Sequence, residues 1–453
     1  MSVVVLGGVI VLAALAGFGR ALVARPQRGV LALAALAPFD GLLVLLDTPG
    51  LLAGWKEALT LATLGATWLA PDHSRRSQPS PTPAYIGPLL GLAALGVASL
   101  LWAPPAFVLM GLKIDFFYVL VWLALWRCPL DRPERDRLVT ILMVGAVTTA
   151  AIGLAQQRIG AFGLRDLGYE FESTIRTTGD SVLRSFSTFD LPFAFAFYLA
   201  FVLALATPVA LAAPSRLRNR LFLASSPLLV VAMLGTFVRA AVAALVVGAA
   251  FLVIRRFRVI LWLAPFALLG VALSPSVLVS ATLSTSSLED RVDGWSAVWT
   301  GVLDRPLGSG LGTTGAAAER LTDNGTEAPE TFGLPAERES YQPDNYYMKR
   351  LLELGLPGLW LTLALMRHIL GSMLRIRSRA DPADTAFVDG AMAWFLGAII
   401  AALAATYWEI FPLDLYLWIT LGALTSIEPS GSSAAGWPSG PTAAGSRPIF
   451  ATS

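Results

Sequence analysis

Cysteine is nearly missing from this chain: Cys128 is the single thiol, and it excludes an internal disulfide. Histidine is almost as scarce. His73 and His368 stand far apart, so no His/Cys cluster points to zinc, and neither a metal nor a cofactor is expected. Charged residues make up 14% of the 453 positions. A soluble domain carries roughly a quarter, so the composition excludes an ordinary soluble fold. There is no basic, aromatic-studded surface suited to nucleic acid. No internal repeat of the transporter kind is found either. Gly310-Leu-Gly312-Thr-Thr-Gly315 matches a dinucleotide-binding pattern, but no βαβ unit surrounds it, so it reads as a turn-forming segment. No charge precedes Arg20, which makes the N-terminus a poor signal peptide; it reads as a retained span.

What remains is apolar. Hydrophobic residues make up 55% of the chain, in runs near the ~20 residues that cross a bilayer core. The fold class expected is an all-α polytopic membrane protein. Its apolar segments fall near 2–19, 29–46, 55–71, 84–102, 106–126, 138–156, 190–212, 221–237, 239–254, 259–279, 350–371, 387–406 and 412–427. Twelve or thirteen crossings fit. Arginine clusters separate alternate spans, as at Arg216/Arg218/Arg220 and Arg375/Arg377/Arg379. Short basic loops face the cytoplasm. On that rule segments 157–189 and 280–346 lie outside, on a transmembrane domain of residues 1–427. The small, polar tail 428–453 reads as disordered and cytoplasmic.

Leu221 to Ile254 is almost continuously apolar between two basic clusters. Thirty-odd residues overshoot one ~30 Å core but suffice for a hairpin of two short spans. Its turn falls near Thr236-Phe-Val-Arg239, which puts Arg239 at the outer end. A cation among apolar neighbours there either snorkels to the interface or faces an anion. Arg184, just before a span, and Arg291, just after one, face the same side. Guanidinium forms paired hydrogen bonds with phosphate oxygens, so three such arginines suit a lipid-linked diphosphate. The bland alternative pairs Arg184 with Asp180 and Arg291 with Asp290.

The longest polar stretch lies between Val279 and Tyr347, and most charge in the chain is expected in such loops. Asp344 precedes a helix. It reads either as an N-cap or as a general base. Asn345 and Tyr341 are candidates to orient a sugar, and Trp295, Trp299, Tyr346 and Tyr347 to stack on one. The same aromatic residues suit a membrane interface. Gly355 and Gly358 read as close-packing positions between helices.

The order of these features resembles the O-antigen ligase and polymerase family, the Wzy/WaaL-type membrane glycosyltransferases. Arg184-x-x-Ser-Thr-Phe189, Val238-Arg239-Ala240 and Arg291-x-x-x-Trp295 carry the resemblance. So do Pro306-Leu-Gly-x-Gly-x-Gly312 and Asp344-Asn345…Glu353-x-Gly355-x-x-Gly358. It implies metal-independent transfer from a polyprenyl diphosphate-linked oligosaccharide to an acceptor hydroxyl, at the outer face of a bacterial cytoplasmic membrane. Asp344, Arg239 and Arg291 would be catalytic. Arg184, Asn345, Trp295 and Tyr341 would bind substrate, and the partners would be the lipid-linked donor, a glycan or lipid acceptor, and membrane lipid. Ligases usually carry His where this chain has Asp344, and Gly where it has Ser187. That departure favours polymerisation, or transfer to an acceptor other than lipid A-core. A polytopic transporter of a polysaccharide precursor or small anion is the alternative, and would place charges at mid-membrane in several spans.

Overall fold

The computed structural model describes residues 17–45, 54–71, 82–171, 174–178, 182–255, 302–303, 305–323, 325–326 and 344–427. The segments 259–279 and 428–453, and most of 2–19 and 280–346, lie outside these. The described chain is built from helices: α1 (Gln27–Leu36), α2 (Trp55–Leu69), α3 (Ile86–Ala98), α4 (Pro105–Phe116) and α5 (Val119–Arg127). There follow α6 (Arg132–Asp166), a small hairpin of β1 (Arg176–Thr178) and β2 (Val182–Arg184), α7 (Pro192–Ala212), α8 (Leu217–Leu234) and α9 (Arg239–Ile254). The order closes with α10 (Gly315–Asp323), α11 (Tyr346–Arg379), α12 (Pro382–Ala401) and α13 (Leu413–Leu424). Each apolar segment that lies mostly on described residues overlaps one of these helices or a bent pair, and within 29–46 a 3-10 helix over Ala37–Leu45 continues from α1.

Among the described residues five helices are long and apolar enough to cross a membrane: α6, α7, α8, α11 and α12. A sixth span forms if α4 and α5, bent by 44°, cross together. The segments Ile86–Leu101, Arg239–Ile254 and Leu413–Leu424 are apolar but shorter. Lipid offers no partner for backbone N–H and C=O groups, and a helix satisfies them within itself. The core gathers around α7, which is buried along nearly its whole length. α12 lies beside it: Gly390 meets the Leu205 carbonyl, and the Phe201 and Trp394 rings lie 4.6 Å apart. Small residues let α9 approach α12 on another side. Gly248 packs against the Ala393 backbone and Gly397 against that of Ala244, so the two helices run antiparallel.

Three expectations change. Segment 157–189 is not wholly loop: α6 runs on to Asp166 past a break at Gly160, and the strand hairpin follows. The polar stretch after Val279 is not solvated throughout where it is described: residues 308–315 are buried, while 305–307 and 325–326 are exposed. Nor is charge confined to loops. The side chains of Asp115, Lys349, Arg350 and Glu353 are buried within helices and pair as described below, and Asp414 is buried at the start of α13.

Candidate functional site

The hairpin expected between residues 221 and 254 exists, and its turn is Gly235–Val238. Phe237 has a positive φ of 60°, which closes the turn, and α9 begins at Arg239. Two glutamines of α6 tie the preceding loop onto this turn. Gln157 Nε2 donates to the carbonyls of Leu183 (2.9 Å) and Gly235 (3.0 Å) and to Ser185 Oγ (2.8 Å). Gln156 accepts from Ser187 N at 2.7 Å and donates to the Ser187 carbonyl at 2.7 Å, holding that residue at a φ of 56°. Ser185 and Ser187 donate to the carbonyls of Gly153 (2.9 Å) and Thr149 (2.6 Å), and Thr188 to that of Pro38 (2.5 Å). Phe189 stacks on Phe195 at 5.6 Å. The motif Arg184-x-x-Ser-Thr-Phe189 is thus mostly an anchor. Buried hydroxyls are kept satisfied, and the anchored loop presents Arg184.

Arg184 is half-buried. Its Nε donates to the Thr236 carbonyl at 3.2 Å, and its guanidinium lies 5.2 Å from the Phe193 ring centre. Arg176 is its partner across the strand pair. Burial first, and then the like charges of Arg176 and Arg239, push the Arg184 guanidinium below its ordinary range. Arg184 and Arg239, both singled out from sequence, therefore come together. Arg176 joins them and was missed, because nothing in the sequence announces a three-residue strand. The Arg176 Nε is buried without a hydrogen-bond partner.

The start of α11 reaches the same end of the bundle. Arg239 precedes Ala244 by five residues and Ala402 follows Gly397 by five, so the α9–α12 register sets Arg239 level with Ala402. The Ala402 carbonyl accepts from Tyr346 N at 2.9 Å. Tyr347 Oη donates to the Ile399 carbonyl at 2.8 Å. Asp344 is exposed, and Asn345 is buried. The N-cap of α11 is Asn345, whose Oδ1 accepts from Tyr347 N (2.9 Å) and Met348 N (3.2 Å). Tyr346 and Tyr347 are not open platforms for a sugar: Tyr346 is buried against Arg350, and Tyr347 is tied to α12. Arg291, Trp295 and Tyr341 lie outside the described residues.

Behind this cap sits a buried ionic cluster that sequence reading also missed. Lys349 lies 2.6 Å from Glu353 and 2.7 Å from Glu409. Arg350 grips Asp115 with both terminal nitrogens and donates to Tyr346 Oη at 2.8 Å. Burial raises the Glu409 carboxyl above the ordinary carboxylate range, and Lys349 draws it back. The visible signal was Lys349-Arg350-x-x-Glu353 directly before an apolar run.

Glu353 also explains the glycine-rich stretch. Its Oε1 accepts from Gly312 N at 3.0 Å. Next to it α11 breaks at Gly355 (φ 64°, ψ −159°). The groups freed by the break are taken up by the same stretch. Ser309 N and Gly310 N donate to the carbonyls of Leu352 and Glu353 (both 2.8 Å), and Leu356 N donates to that of Pro306 (3.0 Å). A Cβ at Gly355 would overlap the Pro306 carbonyl oxygen, and one at Gly308 would press on the Glu353 backbone. Gly355 therefore serves a helix break rather than helix–helix packing. Among the described residues no group of three or more His, Cys, Asp or Glu is placed to hold a metal ion.

No curated protein matches the chain. Residues 224–363 match the family described as O-antigen ligase. That segment begins in α8 and runs through Arg239, Arg291, the glycine stretch, Asp344 and the break at Gly355, while Arg184 lies before it. With the order of motifs around it, this match supports a resemblance of the chain to the O-antigen ligase/polymerase family over that segment.

Proposed function

We propose that this protein joins polyprenyl diphosphate-linked oligosaccharide units to an acceptor hydroxyl at the outer face of the cytoplasmic membrane. The observation that carries the reading is the gathering of Arg176, Arg184 and Arg239 at one end of the bundle. Like charges in a partly desolvated place repel, and an anion between them offsets that cost. A diphosphate offers the oxygens that guanidinium forks match.

In the proposed step the acceptor oxygen attacks the anomeric carbon of the donor glycan. The bond from that carbon to the diphosphate oxygen breaks, and the lipid diphosphate leaves with the electron pair. Asp344 takes the proton of the acceptor hydroxyl and passes it to water. Arg239, together with Arg291, stabilises the charge growing on the leaving group. Arg184 orients the donor, and its packing on Phe193 and Thr236 holds it for that task. The O-antigen ligase family match supports a glycosyltransferase, and polymerisation is the favoured outcome because Asp344 stands where ligases usually have His.

A transporter reading would use charged groups as the lining of a passage. Lys349, Arg350, Glu353, Glu409 and Asp115 instead close on one another. The test uses proteoliposomes given a polyprenyl diphosphate-linked oligosaccharide. Longer glycan together with free lipid diphosphate is the expected result. Movement of donor across the bilayer with no new glycosidic bond would refute the reading.

A further inference from the structure

At the opposite end of the bundle from Arg184 and Arg239, a pocket of about 380 Å3 opens between α6, α7, α8 and α12. Four guanidiniums line it: Arg132, Arg135, Arg216 and Arg218. Among the described residues, two carboxylates face them. Asp384 pairs with Arg135 at 3.1 Å, and Asp136 takes both Arg216 and Arg218 at 3.0 Å. The pocket thus holds two positive charges in excess. Arg132 and Arg216 are exposed at its mouth, whereas Arg135 is buried. α6, α8 and α12 all begin here, so three helix dipoles add positive potential. Deeper in, the walls turn apolar at Val139, Val209 and Phe387.

We propose that this pocket binds the headgroup of an anionic phospholipid. A phosphate at the mouth would meet the excess charge, and an acyl chain would continue along the apolar wall between the helices. Basic pockets between membrane helices recognise such headgroups, at about a fivefold gain in affinity for each arginine near the surface. A soluble phosphate would use the charge but leave the apolar wall bare, which is why a lipid fits better. The inference rests on no part of the transfer reading, since neither Arg184, Arg239 nor Asp344 takes part.

The experiment titrates the purified full chain with phosphatidylglycerol, with phosphatidylcholine of the same acyl chains, and with inorganic phosphate, reading bound lipid by native mass spectrometry. Phosphatidylglycerol is expected to bind more tightly than phosphatidylcholine. The double change Arg132→Gln and Arg216→Gln is expected to weaken it about thirtyfold while leaving phosphatidylcholine unchanged. The matching Arg→Lys pair keeps the charge and stays within a few-fold of the parent, which separates loss of charge from loss of folding. Equal binding of the two lipids would overturn the proposal, as would a double Gln variant with parental affinity. Inorganic phosphate binding as tightly as phosphatidylglycerol would make the pocket a soluble-anion site and sink the lipid assignment.

Discussion

Asn345 Oδ1 accepts the Tyr347 N–H at 2.9 Å, so the cap of α11 belongs to Asn345 and its neighbour Asp344 is left exposed beside it. The two residues should therefore separate in experiment. Asn345→Ala removes an N-cap and is expected to cost about 1 kcal/mol of stability. Asp344→Asn leaves the cap in place and is expected to unfold like the parent. If Asp344 is the base, its transfer rate falls on the order of a hundredfold. Thermal unfolding in detergent, measured alongside transfer from a lipid-linked donor, checks both. A parental rate in Asp344→Asn would leave the proton to water and catalysis to the arginines.

The same pair admits a further variant. Asp344→His puts in place the residue that ligases usually carry. Its reference pKa near ~6.5 suits a base at neutral pH, so partial activity is expected where Asp344→Asn has almost none. Activity no higher in His than in Asn would argue against a proton-accepting role at this position.

Gly355 should resist substitution more than any ordinary helix glycine. Its φ of 64° with ψ of −159° lies in a region that is essentially glycine-only, and a Cβ there would overlap the Pro306 carbonyl oxygen. Gly355→Ala is expected to cost about 2 kcal/mol or more. Gly371, further along α11, meets only the tip of Arg375, so Gly371→Ala should be near neutral or stabilising. The midpoint of heat-induced aggregation compares the two, and equal midpoints would contradict the account of the break.

Orientation has its own test. Thr326 and Ser378 are both exposed, and the arginine alternation sets them on opposite sides of the membrane. With Cys128 replaced by Ser, Thr326→Cys should react with an impermeant thiol reagent in intact cells, and Ser378→Cys only after lysis. The reverse labelling would invert the topology and put the arginine end inside the cell.

Apolar runs and arginine spacing made the helices legible in sequence, since a bilayer demands long self-satisfied segments. The tight turn before Arg239 was legible for the same reason: thirty-odd apolar residues between two basic clusters have to double back. Arg184 and Arg239 were readable as cations that run against the charge bias. Arg176 was not, because its position depends on a strand pair of three residues a side. The cluster of Asp115, Lys349, Arg350, Glu353 and Glu409 was missed because its members come from three distant stretches of chain. The cap of α11 was expected at Asp344 and falls on Asn345, since Asp and Asn offer the same side-chain oxygen. Only the geometry of the first turn distinguishes which of the two neighbours caps the helix.

The central claim is that the gathered arginines bind a diphosphate through paired, planar hydrogen bonds. Arg239 tests it most directly, by comparing Arg239→Lys with Arg239→Ala. Both are assayed in proteoliposomes for glycan formation and release of lipid diphosphate, at matched protein and saturating donor. Lysine keeps the charge but loses the fork, so both variants are expected to fall on the order of a hundredfold, with Lys little better than Ala. Near-parental turnover by Arg239→Lys would contradict the claim, reducing the site to an unspecific patch of positive charge.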